Sequence, residues 1–178
     1  MSTPEPNFRF RLMALTLRLR DLFVPPLRTL EEAQLQLGFR VLDYGCGAGS
    51  YVAPTAALVG ATGRIYALDI HPLAIRGVQS FASRKQLTNV ETILSDCGTG
   101  LPDDEVDAVL LYDVLHDLSE PKGVLQELHR VLKPAGVLSV SDHHLKGEEI
   151  VARVSGDGLF KLLRKGRRTY SFSPREPR

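Results

Sequence analysis

Short apolar runs alternate with longer stretches of helical spacing from residue 39 to about residue 155. The runs 39–44, 64–69, 90–95, 106–112 and 137–142 are rich in Val, Ile, Leu and Tyr, and are predicted strands. Between them, 50–59, 72–85 and 121–132 are predicted helices. Gly60 and Gly63 bracket the turn into the second run, Pro72 suits the first turn of a helix, and Lys133-Pro134-Ala135-Gly136 stops the helix before the fifth run. Segment 96–105 contains Gly98, Gly100 and Pro102 and reads as a loop. Such alternation predicts an α/β fold with a mostly parallel sheet. A short helix at 146–155 follows. Two β-like stretches, 159–164 and 168–173, then flank Lys165-Gly166-Arg167 as a hairpin.

The first forty residues stand outside this alternation. Phe8, Leu12, Leu15, Leu19 and Leu22 recur at steps of four and three, so they share one face of a helix that Pro25-Pro26 ends. Three uses of that face are open: packing on the domain, a lid (residues 8–23) over a substrate pocket, or weak contact with a membrane surface. The expected division is a helical lid or packing segment at 1–38, the main domain at 39–173 and a frayed tail at 174–178. A chain of 178 residues suits one domain with a sizeable core.

Composition narrows the setting. No apolar run approaches the ~20 residues that span a bilayer, and arginines interrupt the N-terminal apolar residues, so no leader is expected. Two cysteines, Cys46 and Cys97, do not make a disulfide framework and read as free thiols of a reducing, cytoplasmic compartment. Charge is uneven. Residues 41–144 carry 7 Lys/Arg against 13 Asp/Glu, whereas 145–178 carry 9 against 4, so the middle is acidic and the tail basic. A basic tail favours anionic partners or simply faces water.

The chemistry concentrates where strands end. Val41-Leu42-Asp43-Tyr44-Gly45-Cys46-Gly47-Ala48-Gly49-Ser50 is an apolar run, an acid, then three glycines at alternate positions before a helix. Glycines there allow close backbone approach to a ligand, and the helix start offers free N–H donors. Asp69 ends the next run, where an acid can accept both hydroxyls of a ribose. A dinucleotide fingerprint would place a third glycine at Ser50, and Asp43 would repel a pyrophosphate; it suits an ammonium or sulfonium ligand instead. Asp96 closes the third run, so three acids line up at the carboxyl edge of the sheet.

At this point the chain resembles the class I S-adenosylmethionine-dependent methyltransferases, whose first motif commonly reads hydrophobic-D-x-G-x-G-x-G. The run from Leu101 to Asp142, with "VDAVLLYDVLHDL" and "VLQELHRVLKPAGVLSVSD", is similar to the second half of a type 11 methyltransferase domain, the subgroup of the quinone-biosynthesis and arsenite methyltransferases. The resemblance covers residues 39 to about 142. It implies a Rossmann-like, doubly wound sheet with an antiparallel C-terminal strand. It implies S-adenosylmethionine as cofactor, with S-adenosylhomocysteine as product and a small-molecule methyl acceptor. It places Gly45, Gly47 and Gly49 at the methionine moiety, with Asp43 and Cys46 of the same motif among the cofactor-binding residues, Asp69 at the ribose, Ile70 and His71 beside the adenine, Asp96 and Cys97 at the base, and the backbone of Tyr112 and Asp113 near the methionine amine.

Methyl transfer needs orientation and exclusion of water more than an obligatory catalytic side chain. An oxygen or carbon acceptor also needs a base. His116, after the fourth run, and His143, after the fifth with Asp142 and His144, face the ligand edge and are the candidates; packing or solvent-facing roles remain the alternatives. His129 reads as structural. Oxygen-rich Mg²⁺ sites seldom use histidines, and the acid–acid–amide pattern of catechol-type enzymes is not visible, so no metal is expected. With only Cys46 and Cys97 present, arsenic is disfavoured as substrate. Lys161, Arg164, Lys165, Arg167 and Arg168 could attract phosphates, but Tyr112-Asp113-Val114-Leu115 stands where a base-modifying N-P-P-Y motif would, so nucleic acid is disfavoured. Two rivals remain: a cofactor-binding domain without turnover, and an NAD-binding oxidoreductase.

Overall fold

A computed structural model describes residues 6–23, 25–118 and 120–175. Its centre is a seven-stranded sheet in the order β3-β2-β1-β4-β5-β7-β6. The strands are β1 (Arg40–Tyr44), β2 (Arg64–Asp69), β3 (Val90–Leu94), β4 (Val106–Tyr112), β5 (Leu132–Ser141), β6 (Phe160–Lys165) and β7 (Tyr170–Pro174). The first five run parallel, while β7 is antiparallel to both β5 and β6. The expected doubly wound sheet is therefore present. The last strand in sequence inserts between β5 and β6 rather than adding at the edge.

Helices cover both faces: α3 (Val52–Val59), α4 (Pro72–Lys85), α5 (Pro121–Val131) and α6 (Gly147–Ser155) follow or connect the strands. Central β4 is buried almost throughout, which is why its run is continuously apolar rather than alternating. Its residues divide between two cores. Val109 and Leu111 join Leu42, Leu125, Leu128, Ile150 and Val154. Ala108 and Leu110 join Val41, Leu30, Ala56 and Val59. Each large aliphatic side chain so buried contributes about 1.5–3 kcal/mol.

The path from β1 to β2 and β3 leads one way across the sheet, and β4 and β5 lie the other way. The carboxyl ends of β1 and β4 are thus a topological switch point, the place where such sheets bind ligands.

Several expectations are corrected. β5 begins at Leu132, five residues before the predicted 137; Leu132 pairs with Val106 and the ladder resumes at Ala108 with Val137. Lys133-Pro134-Ala135-Gly136 is therefore a bulge within the strand, where a proline without an N–H is tolerated. The tail is held at its start: Pro174 ends β7 and the Arg175 N–H donates to Leu159 O at 2.8 Å. Its remaining residues, 176–178, lie outside the described residues.

The N-terminal segment departs most. It contains α1 (Asn7–Phe23) and an unpredicted second helix, α2 (Leu27–Ala33), whose Leu30 and Ala33 are buried. From α2, Glu32 seats the β6–β7 turn: its carboxylate accepts the backbone N–H groups of Arg167, Arg168 and Thr169. In α1 the predicted apolar face does not pack. Phe8, Leu12, Leu15 and Leu19 are exposed, and Phe10, on the other side, is the buried one among the described side chains. The Leu22 side chain lies outside the described residues. Spacing reveals which residues share a face, not which way that face turns. Among the described residues no helix is long and apolar enough to cross a membrane.

Candidate active site

The glycine turn is built by the backbone. Gly45, Gly47 and Gly49 all have positive φ (+79°, +51° and +82°), which other residues adopt at a cost. The N–H groups of Gly45 and Cys46 both donate to Leu68 O, and the Gly49 N–H donates to Cys46 O. The Cys46 side chain packs with Val52, Ala67, Ile75 and Val78, and burial pushes its thiol well above the ordinary range. Any contact of Cys46 with a ligand therefore runs through its backbone.

Two acids meet behind this turn. Asp69 ends β2; its Oδ2 accepts the Gly47 N–H at 2.8 Å and its Oδ1 the His71 N–H at 2.7 Å. It is a structural clamp on the loop as well as a candidate ribose acceptor. Asp43, at the end of β1, is more deeply buried, and its Oδ2 has no hydrogen-bond partner. Burial, reinforced by repulsion from Asp69, pushes the Asp43 carboxyl up to about 7. A buried acceptor without a donor is costly, and a cation supplies what it lacks. The ammonium of S-adenosylmethionine fits that requirement; a pyrophosphate does not.

Past Asp69, half-buried Ile70 leads to His71, which caps α4 by accepting the Leu73 N–H on Nδ1 at 3.1 Å. Phe10 of α1 stacks on the His71 ring, centroids 4.2 Å apart. Sequence reading missed this residue because it lies off the apolar face. Through Phe10, Arg11, Ala14 and Leu15, α1 covers a cleft of about 370 Å³ bounded by Gly47, Ala48 and the first turns of α4; Asp43, Asp96 and Asp113 do not line it.

On the other side, Asp96 and Cys97 begin the loop between β3 and β4. The Tyr44 hydroxyl donates to Asp96 O at 3.3 Å. Farther along, Thr99 is fastened to α5: its N–H and hydroxyl both donate to Glu127 Oε1. The Arg130 guanidinium beside Glu127, with help from Thr99, outweighs burial and holds that carboxyl down to about 2. Nothing in the sequence names Thr99 as the partner of this i,i+3 ion pair.

The expected histidines do converge, and crosswise. His116, beyond β4, places Nδ1 2.9 Å from Asp142 Oδ2 beyond β5. His143, beyond β5, places Nδ1 2.8 Å from Asp113 Oδ1 at the end of β4. His144 lies between them, its ring centroid 4.1 Å from that of His116 and 3.9 Å from that of His143. An ionised carboxylate only accepts, so Asp142 fixes the proton of a neutral His116 on Nδ1; the other ring nitrogen, Nε2, lies 3.4 Å from Oδ2 of the exposed Asp117. The His143 side chain is 63% exposed against 21% for His116, so His116 is the better sheltered imidazole. Asp113 takes φ +55° to make its contact. The Tyr112 side chain turns away into the core, its hydroxyl 2.8 Å from Ser139 Oγ, so Tyr112 can meet a ligand only through its backbone. Among the described residues no three His, Cys, Asp or Glu side chains are placed to hold a metal ion.

One consequence concerns Asp69. Asp69→Ala should lower cofactor affinity roughly 100-fold and also cost the apo fold about 1–3 kcal/mol, because it strips two buried N–H groups of their acceptor. Titration calorimetry and urea unfolding measure the two effects, and native affinity in the variant would remove Asp69 from the site.

A family described as a methyltransferase domain matches residues 35–169. The chain is 29% identical over 109 residues to a demethylmenaquinone methyltransferase from a Geobacillus species, covering 61% of this chain and 47% of that one. It is 26% identical over 137 residues to a ubiquinone/menaquinone biosynthesis C-methyltransferase from a Marinomonas species, covering 76% and 55%. The chain thus spans about half the length of these curated relatives. A SAM-dependent methyltransferase structure from Aquifex aeolicus superposes with TM-score 0.74 at 29% identity, covering 84% of this chain and 88% of that one. An arsenic(III) S-adenosylmethionine methyltransferase from Chlamydomonas reinhardtii shares the fold, with TM-score 0.61 at 22% identity over 77% and 62% of the two chains.

Proposed function

Because this chain belongs to the methyltransferase-domain family, we propose that it moves the methyl group of S-adenosylmethionine to a small aromatic acceptor, a ring carbon of a quinol precursor. The observation that carries the cofactor half is the buried, partnerless Oδ2 of Asp43 beside the glycine turn. The acceptor half is supported by the quinone methyltransferases among the relatives and by the sheltered His116–Asp142 pair.

In this reading Asp43 meets the methionine ammonium, and Gly45, Gly47 and Gly49 let the backbone approach the methionine moiety. Asp69 takes the ribose hydroxyls, Ile70 and His71 flank the adenine, and Asp96 with Cys97 meets the base. The bound cofactor supplies an electrophilic methyl on a good leaving group. His116 Nε2 accepts the proton of a ring hydroxyl, which makes the neighbouring ring carbon electron-rich; once that carbon carries the methyl it loses its own hydrogen as a proton to solvent, and the protonated His116 returns a proton to the ring oxygen. Asp142 holds the imidazole in the required tautomer and stabilises it once protonated. His143, oriented by Asp113, is the second basic group at the same edge.

The test uses methyl-labelled S-adenosylmethionine with a short-chain demethylmenaquinol. Label on a ring carbon is expected, and His116→Gln should cut kcat by roughly 100-fold or more with cofactor affinity unchanged. Cofactor binding with no labelled product across quinol and phenol acceptors would instead favour a binding domain without turnover. Binding of NAD in preference to S-adenosylmethionine would favour the oxidoreductase.

The same reading makes α1 the cover of the adenine end of the site. Amides of residues 8–23 should then exchange more slowly when S-adenosylhomocysteine is bound. Equal exchange in both states, with slowing confined to 45–49, leaves α1 as a fixed packing helix.

A further inference from the structure

Most of the outer face of α1 lies outside the candidate site; of its stripe only Leu15 reaches the cleft. Phe8, Leu12, Leu15, Leu19 and Phe23 are 52–83% exposed. At about 100° per residue they fall in one narrow stripe along the helix. Phe10, on the opposite side, is buried against His71, so the helix is anchored to the domain with its stripe turned outward. A row of five large apolar side chains facing water marks a surface that meets something apolar.

Charge indicates what that is. By the same spacing Arg9 falls along one flank of the stripe and Arg11, which also borders the cleft, along the other. Arg9 and Arg11 are exposed. A second copy of the same stripe would set arginines against arginines. An anionic lipid surface takes the apolar side chains between its headgroups and pairs the flanking arginines with phosphates.

We propose that the outer face of α1 is a membrane-surface anchor selective for anionic lipid, which holds the domain with the α1-covered cleft beside the bilayer. The proposal does not depend on the acceptor proposed above, because vesicle binding needs no turnover.

The experiment is co-sedimentation of the whole chain with phosphatidylcholine vesicles containing roughly 30% phosphatidylglycerol, against pure phosphatidylcholine. Binding to the anionic vesicles is expected, weakening as salt rises. It should fall at least about tenfold on pure phosphatidylcholine, and by a similar factor in the Phe8→Ser/Leu12→Ser/Leu19→Ser variant, which alters exposed positions only. The chain has no tryptophan, so Phe8→Trp gives an independent readout that does not require the triple variant to fold: its emission should shift to the blue on anionic vesicles. No sedimentation of the parent chain, equal sedimentation of the triple variant, or unchanged Phe8→Trp emission overturns the proposal. So does a dimer that dissociates in the triple variant while the parent ignores vesicles, since the stripe would then bind a second copy.

Discussion

Asp43→Asn is expected to make the apo protein more stable and the cofactor complex weaker. In the fold the Asp43 carboxyl is pushed up to about 7, by burial first and by Asp69 second, from an ordinary value of 3.8. Between those two values the folded state keeps a proton that the unfolded chain has lost. Stability therefore falls as pH rises through that window, the opposite of the usual paired aspartate. At pH 8 the parent carries a buried charge without a donor, and the amide does not. Urea unfolding should show the variant more stable by about 2 kcal/mol at pH 8, with the gap closing toward pH 4.

The cofactor responds with the other sign. An ammonium needs the ionised carboxylate, so affinity of the parent should drop by up to about tenfold per pH unit below 7, with proton release on binding detectable in buffers of different ionisation enthalpy. The variant should bind roughly 10- to 100-fold more weakly at pH 7.5, with no such slope, since a charge-assisted hydrogen bond of about 1.5–3 kcal/mol is lost. If the variant binds S-adenosylmethionine as tightly as the parent at that pH, Asp43 does not face the ammonium.

The second large effect separates two glycines that look alike in the sequence. A Cβ on Gly45 would run into the Val114 side chain, in a residue already at φ +79°. Gly45→Ala should cost the fold about 3 kcal/mol from strain and overpacking together. Val114→Ala in the same chain should recover the steric part and leave the backbone part. A Cβ on Gly47 meets nothing nearer than Gly45 O at 4.0 Å, at φ +51°. Gly47→Ala should cost only about 1 kcal/mol of stability. If the space above the loop belongs to the cofactor, affinity should nonetheless fall at least about tenfold. Thermal unfolding and calorimetry on the same samples distinguish the two. A Gly47 variant with native affinity would mean that the turn shapes the chain and not the ligand site.

The contrast at Gly45 and Gly47 shows how legible the site was. Spacing placed both in a turn between strand and helix, because the glycines and the flanking periodicity are local. It could not reveal that Val114, nearly seventy residues on, fills the space above one and not the other. Asp69 was legible as a strand-end acid, but its grip on the Gly47 and His71 N–H groups was not.

The sequence by itself determined the five parallel strands, most of their boundaries, and the edge at which Asp43, Asp69, Asp96, Asp113 and the histidines gather. Each of those rests on near-neighbour physics: apolar periodicity, glycine and proline punctuation, and the rule that strand ends hold ligands. Only the tertiary structure decided who pairs with whom across that edge, as in His116 with Asp142 and His143 with Asp113, and that β7 enters between β5 and β6. It also decided that Phe10 packs while the stripe of Phe8, Leu12, Leu15 and Leu19 faces outward. A helix's periodicity is set within its own turns, but its rotation about its axis is set by the surface it docks on, here the His71 ring and the start of α4. That surface is assembled from residues far away in the chain, so no local pattern contains it.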